Sequence, residues 1–229
     1  MDWSEAERRA ALWPRDQAES EGKRPSVQTL AERDKERAIM DIILASQSPR
    51  RKELLKQMGL AYRVVVAEID EHMERDLPPD KLVEAISAEK AAAVAAGEGP
   101  ESVIIAADTV VALDGEVLGK PHSEAQAAEM LGKLSGREHQ VYTGFTVRQG
   151  ERIVTDHQRS EVRFRSLSDQ EITAYIATGE PMDKAGAYGI QGLGSLLVEG
   201  IHGDYFNVMG LPVCMLGQTL KEFGIDRLT

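Results

Sequence analysis

One cysteine in 229 residues excludes an internal disulfide and any CxxC zinc knuckle. That residue, Cys214, sits in the apolar run LPVCML and reads as a small buried hydrophobe. A reducing, cytoplasmic setting is therefore expected. No run approaches the roughly 20 apolar residues that span a bilayer, so no membrane partner is expected. The opening stretch MDWSEAERRAALWPRDQAES is too charged for the apolar core of a signal peptide. Positive charge is also in short supply. The net charge of −11 argues against sequence-independent binding to nucleic acid. A polyanionic ligand would then need locally concentrated cations and a metal. The chain also lacks GK[ST], GxGxxG and GxSxG, which removes the Walker, dinucleotide and serine-hydrolase loops. Its five histidines (72, 122, 139, 157 and 202) show no metal-ligand spacing.

What remains is ordinary globular material, 42% hydrophobic and 28% charged, of a size that suits one α/β domain with an appendage. Residues 1–39 are that appendage: 17 of them are charged, but they net only −1, leaving −10 to the rest. Pro14 and Pro25 interrupt this stretch, which reads as partly helical or disordered. Met40 precedes the first convincing strand and offers an alternative start of translation. From there strands and helices alternate. DIILA is a buried strand, PRRKELLKQMG a helix and AYRVVVAEI a second strand. An alanine-rich helix follows, with Asp80 as its expected N-cap. SVIIAADTVVAL is a long β-branched strand that ends in the turn dipeptide Asp114-Gly115. Ser123/Gln126 and Ser168/Glu171 have capping-box spacing. Between them HQVYTGFTVRQ and RSEVRFRSL read as strands around a turn at Gly150, and LGQTLKEFG closes the chain as a helix. The fold class is α/β with a mixed sheet.

Several residues carry chemistry. Ser48 suits an N-cap and Pro49 a first helical position, yet Arg50, Arg51 and Lys52 follow at the positive end of the helix dipole. An anion bound at the exposed amides resolves that conflict; side chains swinging into water also do. Asp108 lies in an apolar strand, where a carboxylate is costly unless it is paired, metal-bound or capping backbone amides. The functional reading is a general base or metal ligand shown at a strand's carboxyl end. Lys90 shares a helical stripe with Val83, Ile86 and Val94, so it either snorkels or reaches into a site. Lys120 lies in a Gly/Pro loop that an ordinary surface lysine also suits. Glu68, Asp70 and Glu71 either hold a divalent cation or form a solvated acidic turn. In DKAGAYGIQGLGS, Gly186, Gly189, Gly192 and Gly194 allow a backbone to approach a ligand closely.

Taken in order, LASQSPRRKELL (44–55), EIDE (68–71), AEKA (88–91), AADTVV (106–111), GEVLGKP (115–121), SGREHQVYTG (135–144), ATGEPMDKAGAYGIQG (177–192) and YFNVMGLP (205–212) closely resemble the Maf family of nucleotide pyrophosphatases, across 42–225. The resemblance implies an elongated ITPase-like α/β fold with a cleft between two lobes, often dimeric, so a homodimer is expected. It implies hydrolysis of a nucleoside triphosphate to monophosphate and pyrophosphate with a divalent metal, Mg²⁺ or Mn²⁺. Asp108 then matches the proton acceptor, and Glu71 with Asp108 the metal ligands. Ser46, Arg51, Lys90 and Lys120 match the substrate-binding set. Arg50, Thr109 and Gln191 match the specificity positions, in the combination of the dTTP/UTP branch. The 7-methyl-GTP branch carries an aromatic in place of Arg50. Modified nucleotides as substrates, or a nucleotide-binding role in cell division, are the alternatives the resemblance leaves open. The extension 1–39 has no counterpart in the family pattern.

Overall fold

The computed structural model describes residues 40–66, 69 and 77–228. The extension 1–39 and the carboxylates Glu68, Asp70 and Glu71 lie outside these.

The elements are β1 (Ile42–Leu44), α1 (Pro49–Gln57), β2 (Arg63–Val64), α2 (Pro79–Ala95), β3 (Val103–Leu113), β4 (Glu116–Leu118) and α3 (Glu124–Leu134), followed by β5 (Glu138–Gln149), β6 (Arg152–Phe164), α4 (Asp169–Ala177), β7 (Val198–His202), α5 (Tyr205–Met209) and α6 (Val213–Glu222). One mixed sheet runs β2-β1-β3-β5-β6-β7, with β4 beside β3. β1 is parallel to both neighbours, and all other pairings are antiparallel. The α/β expectation with a mixed sheet and flanking helices therefore holds.

Period-two alternation along β3 divides the core. Val103, Ile105 and Ala107 join Ile42, Leu44, Phe145 and Val147 on one face, covered by Leu54 and Leu55 of α1 and Leu216 and Leu220 of α6. Ile104, Ala106 and Val110 point to the other face, under Leu82, Val83, Ile86, Ala91 and Val94 of α2. Farther along, Val111, Leu113, Val141 and Phe164 pack with α3 and α4. Helix α2 comes unusually close to the sheet at Gly144: a Cβ there would lie 2.5 Å from the Val83 carbonyl. One turn on, Ser87 Oγ and Thr146 Oγ1 are 2.9 Å apart, a hydrogen bond that ties α2 to β5 on the same face.

Local signals behave unevenly. Ser48 caps α1 by accepting from the Arg51 amide, and Pro49 opens it. Ser168 and Glu171 form the full reciprocal box. Ser123 accepts from the Gln126 amide, but the Gln126 side chain instead accepts from the His122 amide, one residue earlier than a box requires. Asp80 is not an N-cap: α2 starts one residue earlier, at Pro79, whose fixed φ and missing N–H suit the first position. Among the described residues of AYRVVVAEI (61–66 and 69), the strand covers only Arg63–Val64, opposite Ile43 and Leu44 of β1. Cys214 is exposed, on the outer side of α6, and is not a core residue.

Candidate active site

The site starts from a gap in the sheet. On the edge of β3 opposite β5, β1 pairs with Val103 to Ile105 and β4 with Val111 to Leu113. Between them, among the described residues, Ala106 to Val110 have no strand on that edge. The chain leaving β1 at Ala45–Ser48 and the chain leaving β4 at Gly119–Lys120 meet there, and a cleft of about 440 Å³ opens. A second hollow of about 640 Å³ runs towards β4 and the start of α3, and shares Asp108, Thr109, Lys120 and Ala185 with the first. Asp108 is therefore not at the carboxyl end of its strand but in its middle. It is reachable because the neighbouring strands stop short.

Asp108 and Thr109 project to opposite faces of β3, and each meets one cation. On the α2 face, Lys90 Nζ donates to Asp108 Oδ1 at 2.7 Å, both side chains being nearly buried. The helical stripe that carries Lys90 faces the sheet, and the lysine ends on this carboxylate. On the other face, Arg51 is buried along the same side of α1 as Leu54 and Leu55. Its Nε donates to the Gly210 carbonyl at 2.8 Å, one terminal nitrogen to Ser46 Oγ at 3.2 Å and the other to Thr109 Oγ1 at 2.9 Å. Thr109 Oγ1 is also 2.9 Å from Thr143 Oγ1, which donates to the Asn207 carbonyl. Arg50 stays half-buried at the rim, donating to the Met209 carbonyl at 3.3 Å and standing 3.9 Å from Asp183. Ser46 Oγ accepts the Ser48 amide at 3.2 Å, so the loop into α1 is ordered by its own serines.

Seven of the sequence-derived residues thus line one cleft: Ser46, Arg50, Arg51, Lys90, Asp108, Thr109 and Lys120. Gln191 does not line it; its neighbours Gly189 and Ile190 do. Glu71 lies outside the described residues. The sequence reading missed Asp183, Lys184 and Tyr188, which also line the cleft. All three stand inside DKAGAYGIQG, where the glycines drew attention first. Those glycines serve the protein's own packing: a Cβ on Gly186 would strike Val111, and one on Gly194 would lie 2.2 Å from the Gly189 carbonyl.

Charge in the cleft is balanced locally. Burial works against ionised Asp183, but the Lys184 ammonium and, less strongly, Arg50 hold its carboxyl below its ordinary range. Burial pushes the Tyr188 phenol up, so it stays protonated. Its hydroxyl lies 2.8 Å from Nε2 of His139, whose own titration burial pushes down to about 4. No imidazole or thiol lines the first hollow among the described residues; its donors are hard oxygens. That chemistry fits a divalent cation that completes its shell with phosphate oxygens and water. Elsewhere, Glu84, Asp156 and His157 come together with ligand atoms within 4.8 Å, a grouping made by the fold and invisible in the spacing. None of the three lines the cleft.

No helix among the described residues is long and apolar enough to cross a membrane. Two solved structures share 15% identity with this chain. The Ham1 protein of Staphylococcus aureus covers 81% of this chain and 100% of its own, with a TM-score of 0.48. A nucleoside-triphosphatase/dITP/XTP pyrophosphatase of Mycobacterium abscessus covers 80% and 94%, with a TM-score of 0.40. Sequence relatives stand much nearer. A dTTP/UTP pyrophosphatase of Moorella thermoacetica is 54% identical over 188 residues, 81% of this chain and 96% of that protein. One from Symbiobacterium thermophilum is 50% identical over 191 residues, 83% and 98%. The Maf-like protein model matches residues 41–223, which takes in the gap in the sheet, both cation-bearing helices and the whole cleft lining; the chain belongs to the Maf-like family.

Proposed function

We propose that this chain hydrolyses nucleoside triphosphates, dTTP and UTP by preference, to the nucleoside monophosphate and pyrophosphate. The observation that carries this reading is the Lys90–Asp108 pair on the floor of a cleft whose other wall is the cationic start of α1. The preference for dTTP and UTP rests on the names of relatives 50–54% identical over nearly their full length.

In this reading Lys90 fixes the Asp108 carboxylate by holding Oδ1, and Asp108 takes a proton from a water molecule. The water oxygen forms the new bond to the α-phosphorus. The bond from that phosphorus to the bridging oxygen breaks, and pyrophosphate leaves with the electron pair. Lys120, exposed at the junction of the two hollows, pairs with the phosphates. Arg51 has its fork on three protein oxygens, so it contributes mainly positive field and the placement of Ser46 and Thr109. Asp108 would hold the divalent cation, with Glu71 joining it; bound there, Mg²⁺ or Mn²⁺ neutralises phosphate charge. Arg50, Thr109 and Gln191 are the base-selecting residues of this reading. Gln191 offers both an amide donor and an acceptor, which matches the O4 and N3–H edge of uracil and thymine. Cytosine reverses those groups.

The test is a panel of dTTP, UTP, CTP, dCTP, dATP and dGTP, with pyrophosphate and orthophosphate measured separately. It is run with Mg²⁺, with Mn²⁺ and after chelation. Pyrophosphate released fastest from dTTP and UTP is the expected result. Orthophosphate as the product, or a preference for purines, overturns the proposal.

A further inference from the structure

The loop that carries Gln191 is strapped at its base by one carboxylate and one phenol. Glu180 Oε1 accepts the Gly194 amide at 3.0 Å and the Tyr175 hydroxyl at 2.8 Å, while Oε2 accepts the Leu193 amide at 3.0 Å. The same Tyr175 hydroxyl accepts the Gly189 amide at 3.2 Å. The chain just before Ile190 and just after Gly192 is therefore tied to a single pair of side chains. The two ends also touch directly, since a Cβ on Gly194 would lie 2.2 Å from the Gly189 carbonyl and 2.6 Å from the Tyr175 hydroxyl. Leu193 at the outer turn is half exposed, whereas Tyr175 is buried against α3 and the sheet. The strap thus anchors an exposed, glycine-rich turn to the packed body of the domain.

The electrostatics agree with a charged strap. Burial works to raise the Glu180 carboxyl, but the Gly194 amide, the Tyr175 hydroxyl and the Leu193 amide outweigh it and hold the group below its ordinary range. Burial of Tyr175 pushes its titration far up, so the phenol remains a donor. Neither side chain lines the cleft, yet Gly189 and Ile190, on the segment they clamp, do. A glycine-rich turn left to itself samples many conformations, and a side chain that must present a donor and an acceptor to one base edge loses selectivity when its backbone wanders.

We propose that Glu180 and Tyr175 are positioning residues for base selection, holding the Gly189–Gly194 turn so that Gln191 meets the base in one register. This rests on the reading of Gln191 as a base-selecting residue. Both act through the backbone and touch neither nucleotide nor metal. Because glutamine keeps the shape of Glu180 but turns an amide donor on one backbone N–H, Glu180→Gln weakens the strap without opening a hole. Tyr175→Phe removes only the hydroxyl and orphans the Gly189 amide.

The full-length protein and the variants Glu180→Gln, Tyr175→Phe and Gln191→Ala are compared by kcat and KM for dTTP, UTP, CTP and dCTP. Both strap variants are expected to raise KM for dTTP and UTP about tenfold, the effect of one orphaned polar group, with little change for CTP and dCTP. The UTP-to-CTP ratio of kcat/KM then falls towards that of Gln191→Ala, and Glu180→Gln combined with Gln191→Ala falls no further than Gln191→Ala alone. A ratio that collapses in Gln191→Ala but stays at the wild-type value in both strap variants overturns the proposal. An equal loss on all four nucleotides, accompanied by a lower melting temperature, marks a purely structural strap and also overturns it. A wild-type ratio in Gln191→Ala instead removes the base-selecting reading itself, and the strap proposal with it.

Discussion

Asp108 and Gly144 are direct partners across the β3–β5 ladder, and the Val83 carbonyl lies where a Gly144 side chain would project. Directly opposed residues point to the same face of a sheet, so the missing side chain stands beside the carboxylate. Helix α2 settles into that notch, and seven residues after Val83 it delivers Lys90 to Asp108 at 2.7 Å. A methyl group at 144 has nowhere to go except into backbone. Gly144→Ala is therefore expected to destabilise by about 1–3 kcal/mol, the usual cost of overpacking, and to lower kcat by separating Lys90 from Asp108. Circular dichroism should follow the unfolding. A variant with native melting and native turnover would show that the notch does not set the Lys90–Asp108 distance.

Removing Lys90 takes a cationic partner from a nearly buried carboxylate. With both side chains nearly buried, Lys90→Met should cost about 3 kcal/mol of stability and much of the activity. Asp108→Asn should lower turnover by roughly 10²–10⁴ while nucleotide binding survives. The double variant is expected to be more stable than the sum of the two losses predicts, since each single variant already forfeits the interaction between the two side chains. Unfolding free energies for the four proteins close the cycle. Strict additivity would mean that the pair contributes nothing as a pair, and retained turnover in Asp108→Asn would remove Asp108 from the base role.

Much of this was legible in the chain, for identifiable reasons. Alternation along IIAADTVVAL is a period-two pattern that survives in β3, and the 3, 4 and 7 spacing around Lys90 does define the face of α2 that meets the sheet. What failed depended on partners distant in sequence. Asp108 looked terminal because its strand was judged alone; its access to the cleft comes from where β1 and β4 end. The strand after α1 looked long because VVV favours extended backbone, but among the described residues β1 pairs with only Arg63 and Val64 of it. Glu180 and Tyr175 carry no spacing signal, since their partners are backbone amides of a turn 13–14 residues away. Cys214 in an apolar run looked buried, yet the outer face of an amphipathic helix begins at that residue.

Stability should fall in acid through His139. Its imidazole is fully buried, and burial holds its titration near pH 4, against 6.5 for an unfolded histidine. Above about pH 7 both states are neutral there and nothing is lost. Between about 6.5 and 4 the unfolded chain takes a proton that the native protein refuses, so stability drops with falling pH, by at most about 3 kcal/mol. His139→Gln removes this titration. The difference in unfolding free energy between wild type and variant, measured from pH 8 to 4.5, should therefore shift in favour of the variant as pH falls. A difference constant over that range would mean that the native imidazole accepts its proton normally.

Arg51 is the sharpest test of how the cationic start of α1 works. Its guanidinium spans three separate elements, reaching the carbonyl of Gly210, the hydroxyl of Ser46 and the hydroxyl of Thr109. A lysine keeps the charge but has a single nitrogen, which cannot reach three oxygens placed around a planar fork. If Arg51 acted only as a positive charge near phosphate, Arg51→Lys would retain most activity. If it also fixes Ser46 and Thr109, the lysine forfeits at least two of the three hydrogen bonds, each worth about 0.5–1.5 kcal/mol, and slackens both walls of the cleft. The expected outcome is a loss of about 2–3 kcal/mol in unfolding free energy, together with a 10- to 100-fold fall in kcat/KM. Thr109→Val, which removes one of the same contacts and no charge, should reproduce part of both effects. A lysine variant with wild-type stability and turnover would return Arg51 to the role of a simple phosphate-facing charge.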